Sequence, residues 1–503
     1  MKYRSKQVIL ILAHKNIQQL IKLVSYFEGK CDLFIHVDKK AKFSKEDLIS
    51  LSKMPGVKKV YQRFSVSWAG FSILRCELFL LKEALKHSNG DYFHLLSGQD
   101  YPLKPLNEFL HYFHETEKAG FLSCSQLPHT QFDNGTYFRM QYYVLTDWIN
   151  AKPKEGKNKV LKFIDWQRKL NFKRRIPDQI ERLYGGSAWF SICRRCAEYL
   201  RDYTHEHPSF YKRLKYTFYP EEVYIASVLM NSAYAKDINN NENFRCILWN
   251  NPGKDCSPMD LTLEYLDKIL KYGRTFFARK FEHPSCSSLV NAIDKYMLKE
   301  PSKGTSSTGC WLSCSFNDYD YDYGLTLGLL FLCRTLEIDS VLDLGCGPGY
   351  YVSDLQIEKI PAIGYDGNPH TSELSSLIMP KDTRYPCEEA DVTEELNVSE
   401  PYDLVLFLNV GEYIPPQHEE RVLNNLAACT GRYLIMNWAS YKKHDERIVN
   451  AIPEETLLKK MEQHGFVLDK LATKVMRDHS RKKENKEGLL VFQVAGKAQN
   501  NVL

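Results

Sequence analysis

No apolar run in this 503-residue chain is long enough to cross a bilayer. The longest early one, "VILILA" from Val8 to Ala13, has a strand's length, well short of the roughly 20 residues a spanning helix needs. It also lacks a cleavage site of the signal-peptide kind, so the chain is expected to stay where it is made, in the cytoplasm. Charge of one sign is missing as well: 67 Lys and Arg stand against 62 Asp and Glu, a net +5. That balance gives no reason to expect a nucleic-acid binder, while leaving room for a locally basic phosphate pocket. There are no internal repeats. Cys193 and Cys196 form a CxxC, and Cys310 and Cys314 a CxxxC, but neither has a second pair or histidines at ligand spacing. The 14 cysteines therefore read as free thiols, and no metal site is expected.

What is present is ordinary for a soluble globular protein, 44% hydrophobic and 26% charged, in a chain too long for one core. "QVILILAH", "CDLFIHVD", "VKKVYQ" and "DYFHLLSG" read as strands. A helix carrying Ile17, Leu20, Ile21, Val24 and Phe27 and another over "GFSILRCELFLLKEALKHSNG" lie between them. The alternation predicts a mostly parallel sheet covered by helices. Residues 299–309, "KEPSKGTSSTG", are polar and small and read as a linker. A second alternating pattern follows, with strands at Ser340 to Leu344, "PAIGYD", "YDLVLFLNV", "GRYLIMNWA" and "GLLVFQVA". The basic stretch "RDHSRKKENKEG" reads as a solvated hairpin or loop. The expectation is two α/β domains, 1–298 and 310–503.

In the rear domain Asp343, Gly345, Gly347 and Gly349 make a D-x-G-x-G-x-G turn after a hydrophobic strand. Glycines there let the backbone turn sharply and approach a ligand closely. Asp366 ends the next strand, 21 positions after Gly345, where a carboxylate meets ribose hydroxyls. Asp391 follows in a loop suited to an adenine amino group. The dinucleotide fingerprint would need glycine at 350, where Tyr350 stands. These residues resemble class I S-adenosylmethionine-dependent methyltransferases over about residues 310 to 497. The resemblance implies a Rossmann-like fold and cofactor contacts at Asp343, Gly345, Gly347, Gly349, Asp366 and Asp391. Many members carry histidine where Tyr413 stands, so Glu412, Tyr413 and His418 are only candidates for acceptor chemistry. "NDYDYDYG", residues 317–324, resembles a metal-holding Asp-x-Asp, but its place before a rear helix predicts a loop flanking the cofactor pocket.

In the front domain "FIHVDKK", "VSWAGFSILRCELFLLKEAL", "DYFHLLSGQDYPLK", "GGSAWFSICRR", "FYPEEVYIASVLMNS", "FRCILWNN" and "TFFARKFE" follow in order. In that order they resemble the core-2/I-branching β-1,6-N-acetylglucosaminyltransferase family (glycosyltransferase family 14), which includes peptide O-xylosyltransferases, over roughly residues 5 to 290. The resemblance implies a GT-A-like fold, a UDP-sugar donor, inversion at the anomeric carbon and no divalent metal. Inverting transfer needs a carboxylate to take the acceptor hydroxyl's proton, and positive charge to receive the leaving diphosphate. Pro220 suits a helix's first turn, and Glu221 and Glu222 follow where that terminus favours acids. Spacing barely separates the two glutamates; the family's catalytic glutamate aligns with Glu222. Lys280 matches the family's diphosphate lysine and Arg245 a second cation, with Arg279 as a substitute. Asp38 is expected at the uridine end of the donor. Asp100 is expected near the sugar, or ordering its turn. The phrase around Arg139 and Tyr142 is a candidate acceptor lining; Trp68, Trp189 and Trp249 receive no role.

The resulting expectation is a bifunctional enzyme. It transfers a sugar of the N-acetylglucosamine or xylose class from a UDP donor to a glycan or other hydroxyl, and methylates a glycan or its precursor. The setting expected is surface-polysaccharide synthesis, with peripheral membrane contact through a lipid-linked acceptor allowed. The alternative is an active glycosyltransferase carrying a non-catalytic S-adenosylmethionine-binding scaffold. Nucleic-acid methylation is disfavoured, since "NVGE" stands where an N/D-P-P-Y/F phrase would come.

Overall fold

Alternation along the first strands decides how the front sheet is covered. In the computed structural model Val8 and Leu10 of strand Gln7–Ala13 join an apolar cluster with Phe34, Leu74 and Leu80. Ile9 and Ile11, one residue out of phase, join another with Leu23, Leu33 and Ile35. Both faces are therefore buried, as expected for a central strand lying between helical layers. The structure describes residues 5–129, 137–250, 257–300, 302, 304–383, 387–396, 398–439 and 445–496. Their chain forms two compact units, one of 1–262 with 274–290, the other of 263–273 with 291–503.

The front sheet has seven strands in the order Ile238–Asn239, Gly120–Phe121, Ser191–Cys193, Tyr92–Ser97, Gln7–Ala13, Asp32–Val37, Val57–Tyr61. The four long early strands pair in parallel. Ser191–Cys193 runs antiparallel to both its neighbours and the other pairings are parallel, so the sheet is mostly parallel, as the sequence predicts. The short strands Gly120–Phe121, Ser191–Cys193 and Ile238–Asn239 carry too few residues to show a period. Helices Ile17–Tyr26 and Phe71–His87 cover the sheet through Leu20, Leu23 and Val24, and through Leu74, Leu80 and Leu81. A smaller sheet joins Arg245–Ile247, Phe277–Arg279 and Asp100–Pro102, with Arg279 opposite Asp100.

The rear sheet runs Cys387–Glu389, Ala362–Asp366, Val341–Leu344, Tyr402–Leu408, Thr430–Asn437, Leu490–Val494, Phe466–Leu468. It is parallel except for Leu490–Val494, which is antiparallel to both neighbours. Strand order reverses at Val341–Leu344, the switch point where open α/β sheets place a ligand beyond their carboxyl ends. The stretch read as a solvated loop before Leu490 is largely helical, Lys470–His479 and Lys483–Gly488. Its backbone has a specific partner. Asp322 caps helix Tyr323–Thr335 through the Gly324 and Leu325 N–H groups, and also accepts from the Arg481 and Lys482 N–H groups and Asn485.

Candidate active sites

The front unit's candidate base sits where helix Glu221–Met230 begins. Pro220 precedes it, and both Glu221 and Glu222 lie in its first turn. Burial separates two acids that spacing could not. Glu221 is 5% exposed, its Oε2 without a hydrogen-bond partner among the described residues, and burial followed by the Glu222 charge pushes its pKa up to about 8. Glu77, on the helix Phe71–His87, is also buried; burial and then the charges of Glu221 and Glu222 push it up as well. Glu221, at about 8, is thus a neutral acid at pH 7. The Glu222 side chain keeps 26% of its surface exposed and pairs with Arg139, whose guanidinium lies 4.9 Å from the Tyr219 ring centroid. Trp68 and Phe218 flank Tyr219, Trp68 edge-on at 5.3 Å. Asp147 fixes the neighbouring helix start, accepting from the Phe71 and Ser72 N–H groups.

Two motifs expected on the donor side, far apart in sequence, interlock. Gln99 donates to Glu282 at 2.7 Å, and the Phe281 N–H donates to the Gln99 carbonyl. Glu282 also holds Lys15 and accepts from Asn16 at 2.9 Å. Lys280 reaches Asp260 at 2.8 Å. Lys15 and Lys280 lie close enough to Lys152 that, after burial, their charges lower its pKa. His14, Lys15, Lys40, Lys42 and His283 line a cavity of about 400 Å³ beside the ends of the first two strands. Burial, then Lys15 and Lys152, lowers His14 to about 4, leaving it neutral among cations. Asp38 is buried at the end of its strand, accepting from the Lys40 N–H at 2.8 Å. Such a cationic concavity favours a phosphorylated ligand.

Asp100, Arg245 and Arg279 are brought together beneath this region. Asp100 is fully buried, accepts from the Ser97 N–H at 3.1 Å and lies 3.7 Å from Arg279. The Ser97 bond spans the turn that Asp100 closes. Arg279 stacks 4.1 Å over Trp189. Arg245 is 3% exposed, donates to the carbonyls of Asn243, Phe244 and Leu95 and packs over Phe277. Burial lowers its pKa, with Asp100 opposing. A solvent-borne ligand thus meets Lys280 before Arg245. Trp249 is exposed on a two-residue strand.

The rear unit's glycine turn needs its glycines. Gly345, Gly347 and Gly349 have φ of 81°, 55° and 84°, a region L side chains rarely enter. A Cβ on Gly345 would lie 2.1 Å from Val410, one on Gly347 2.5 Å from the Tyr319 ring. The turn borders a cavity of about 340 Å³ that Asp318, Asp320, Asp343, Asp366 and Glu412 also line. Asp343 is buried with its Oδ2 unpartnered among the described residues, and burial, then the Asp366 charge, raises its pKa to about 8. An unpartnered buried acid in an acidic cavity fits a cationic cofactor such as S-adenosylmethionine. Asp366 braces the turn from outside: one oxygen accepts from the Gly347 N–H, the other from Asn368, both at 2.8 Å.

Two expectations for this cavity meet different surroundings. Asp391 is not among its lining residues, although Val392 is. The Asp391 carboxylate accepts from the Thr393 N–H and hydroxyl and lies beside Thr308 and Cys310. The end of the stretch read as a linker supplies a cavity wall: Thr305 bridges to Trp311, and Thr308, Gly309, Cys310 and Trp311 face the cavity. Gly309 sits against the Tyr413 carbonyl, too close for a side chain. As expected, "NDYDYDYG" flanks the cavity through Asp318, Tyr319 and Asp320. Among the described residues no group of three or more His, Cys, Asp or Glu is placed to hold a metal, and the 13 described cysteines are free. Sequence reasoning missed Glu77, Lys15, Lys152 and Glu282. Glu77 and Glu282 stand inside recognisable motifs, but nothing in the sequence sets them apart.

The two sheets and their glycine turn, acids and cations define a glycosyltransferase domain followed by a methyltransferase domain. The family model described as Core-2/I-Branching enzyme matches residues 9–270, and the chain belongs to that family. A methyltransferase-domain model matches residues 318–471. Xylosyltransferase 1 of Homo sapiens is 26% identical over 310 residues, 58% of this chain and 30% of that protein. Xylosyltransferase 2 of Rattus norvegicus is 26% identical over 345 residues, 64% of this chain and 37% of that protein. The chain thus spans about a third of the length of the curated relatives it matches. A magnesium protoporphyrin IX methyltransferase from Synechocystis PCC 6803, solved with bound SAH, aligns at TM-score 0.27 and 16% identity, covering 34% of this chain and 82% of that one.

Proposed function

We propose that the front domain transfers a sugar, xylose or N-acetylglucosamine, from its UDP donor to an acceptor hydroxyl with inversion and without a metal. The acceptor oxygen attacks the anomeric carbon, its proton passes to Glu222, and the carbon–oxygen bond to the diphosphate breaks with its electron pair leaving on UDP. The carrying observation is Glu222 itself, the open acid in a first turn whose neighbour Glu221 is buried and protonated. Arg139 holds that carboxylate in place. Lys280, with Lys15 and Lys152 nearby, receives the developing phosphate charge, and Asp38 meets the uridine end. Arg245 and Asp100 act from beneath, as a buried pair with Arg279. Likeness to xylosyltransferases favours xylose.

The rear domain would hold S-adenosylmethionine through Asp343, Gly345, Gly347, Gly349 and Asp366, with Asp391 supporting the loop beside it. That cofactor supplies an electrophilic methyl group. Asp343, lying against the glycine turn, is suited to take a positive group of the ligand. We place both products on one glycan of a surface polysaccharide, since tethering raises the effective concentration of the shared intermediate. UDP release from UDP-xylose and UDP-N-acetylglucosamine, with EDTA and in Glu222→Gln, tests the front half. Release is expected to persist in EDTA and to fall by about 10²–10⁴-fold in the variant. EDTA-sensitive release defeats the metal-free mechanism.

A further inference from the structure

A chain whose total charge is +5 concentrates its net positive charge in one place. Residues 148–176 hold ten Lys and Arg against two acids, Glu155 and Asp165, a local charge of +8 that leaves the rest of the chain net acidic. The same 29 residues expose six large apolar side chains, Trp148, Leu161, Trp166, Leu170, Phe172 and Ile176. Trp148 is 74% exposed and Leu170 59%. Isolated apolar groups on a surface are ordinary, but six of them within one basic segment mark a candidate interaction face.

The scaffold under this face is fixed. Helix Lys154–Lys169 turns Val160, Ile164 and Gln167 inward, onto a cluster with Tyr142, Val144 and Ala151. Gln167 pins it further, accepting from the Tyr143 N–H at 2.8 Å and donating to the Tyr143 carbonyl at 2.9 Å. With those three residues inward, Lys162, Trp166 and Leu170 fall on the outer side at four-residue spacing. A helix with one face packed, and tryptophan, leucine and lysine on the other, has the chemistry of an interfacial segment.

We propose that residues 148–176 dock the front domain on an anionic bilayer surface. The charge suits acidic headgroups, which attract basic segments within a Debye length. Lysine stems can lie along the interface with their charges in water while the apolar tips enter it. An acidic polymer would satisfy the charge, but Leu161, Leu170 and Ile176 have no flat face on which a base could stack. Arg139, the partner of Glu222, belongs to the neighbouring segment Phe138–Gln141, and Phe218, beside Tyr219, packs on the same small cluster. A lipid-linked acceptor would therefore be presented on the side of the molecule that carries the base.

The test is co-sedimentation of the full chain with phosphatidylcholine vesicles, with and without phosphatidylglycerol. Binding is expected only with the anionic lipid and is weakened by added salt. The triple variant Trp166→Ser, Leu170→Ser, Phe172→Ser and the double variant Lys162→Glu, Lys169→Glu should each lose binding by at least about tenfold. Both should keep the wild-type melting temperature and donor hydrolysis. Should a variant misfold, quenching of wild-type tryptophan fluorescence by brominated lipid gives an independent reading. Vesicle binding by the triple variant equal to wild type, absence of quenching, or capture by heparin or oligo-dT with no vesicle binding would each overturn the proposal.

Discussion

Glu221 carries a cost that depends on pH. Its folded-state pKa of about 8 lies above the ordinary 4.5, so between those values the folded chain keeps a proton that the unfolded chain has released. Stability from this site therefore falls as pH rises from about 4.5 to about 8 and is level beyond, a span of a few kcal/mol. Glu221→Gln removes the titration, and urea unfolding at pH 5 and pH 8 should show a smaller difference in the variant than in wild type. Asp343 behaves the same way in the rear unit, its pKa of about 8 standing above an ordinary 3.8. Asp343→Asn should raise the melting temperature at pH 8 yet weaken S-adenosylmethionine binding by about tenfold or more, read by calorimetry. None of this is legible in the sequence. A glutamate and its neighbour differ only in which way the helix start turns them, and burial, not identity, makes one neutral and leaves the other open.

At the scale of elements, two local structures carry most of the rear site. The turn from Gly345 to Gly349 combines left-handed backbone with close approach to Val410 and Tyr319. Gly347→Ala is expected to cost about 1–3 kcal/mol and to abolish cofactor binding, measured by thermal melts with and without S-adenosylmethionine. The second structure is the Asp322 junction, where one carboxylate caps its own helix and also accepts from the Arg481 and Lys482 N–H groups and from Asn485. Asp322→Ala should lower stability by about 2–4 kcal/mol, seen in denaturant midpoints. The long strands and helices are readable because apolar periodicity persists over enough residues to show. Two- and three-residue strands such as Gly120–Phe121 and Ser191–Cys193 offer no period at all. The stretch 477–488 reads as a loop because it is densely charged, yet it holds the end of helix Lys470–His479, which packs through Ala472, Thr473 and Met476, and helix Lys483–Gly488.

At the scale of the whole molecule, motif order is enough for two α/β domains and for the family. It does not show that Gln99 and Glu282 meet, or that Lys15 and Lys152 join Lys280, because those encounters depend on chain reversals between distant motifs. It also gives no sign that the second unit recruits 263–273 from near the end of the first domain's span. Lys271 in that segment pairs with Asp267 and Asp354 at 2.7 Å, and Asp354 lies on the helix Tyr350–Ile357 that follows the glycine turn. A fragment spanning residues 305–503 should melt several degrees lower alone than when mixed with a peptide of residues 258–275, as followed by scanning fluorimetry. The chain thus leaves its first fold, contributes eleven residues to the second, and returns before finishing the first. No single scissile position yields two whole enzymes: an expression boundary, protease nick or recombination breakpoint placed between the motifs would leave one half missing a component stranded in the other.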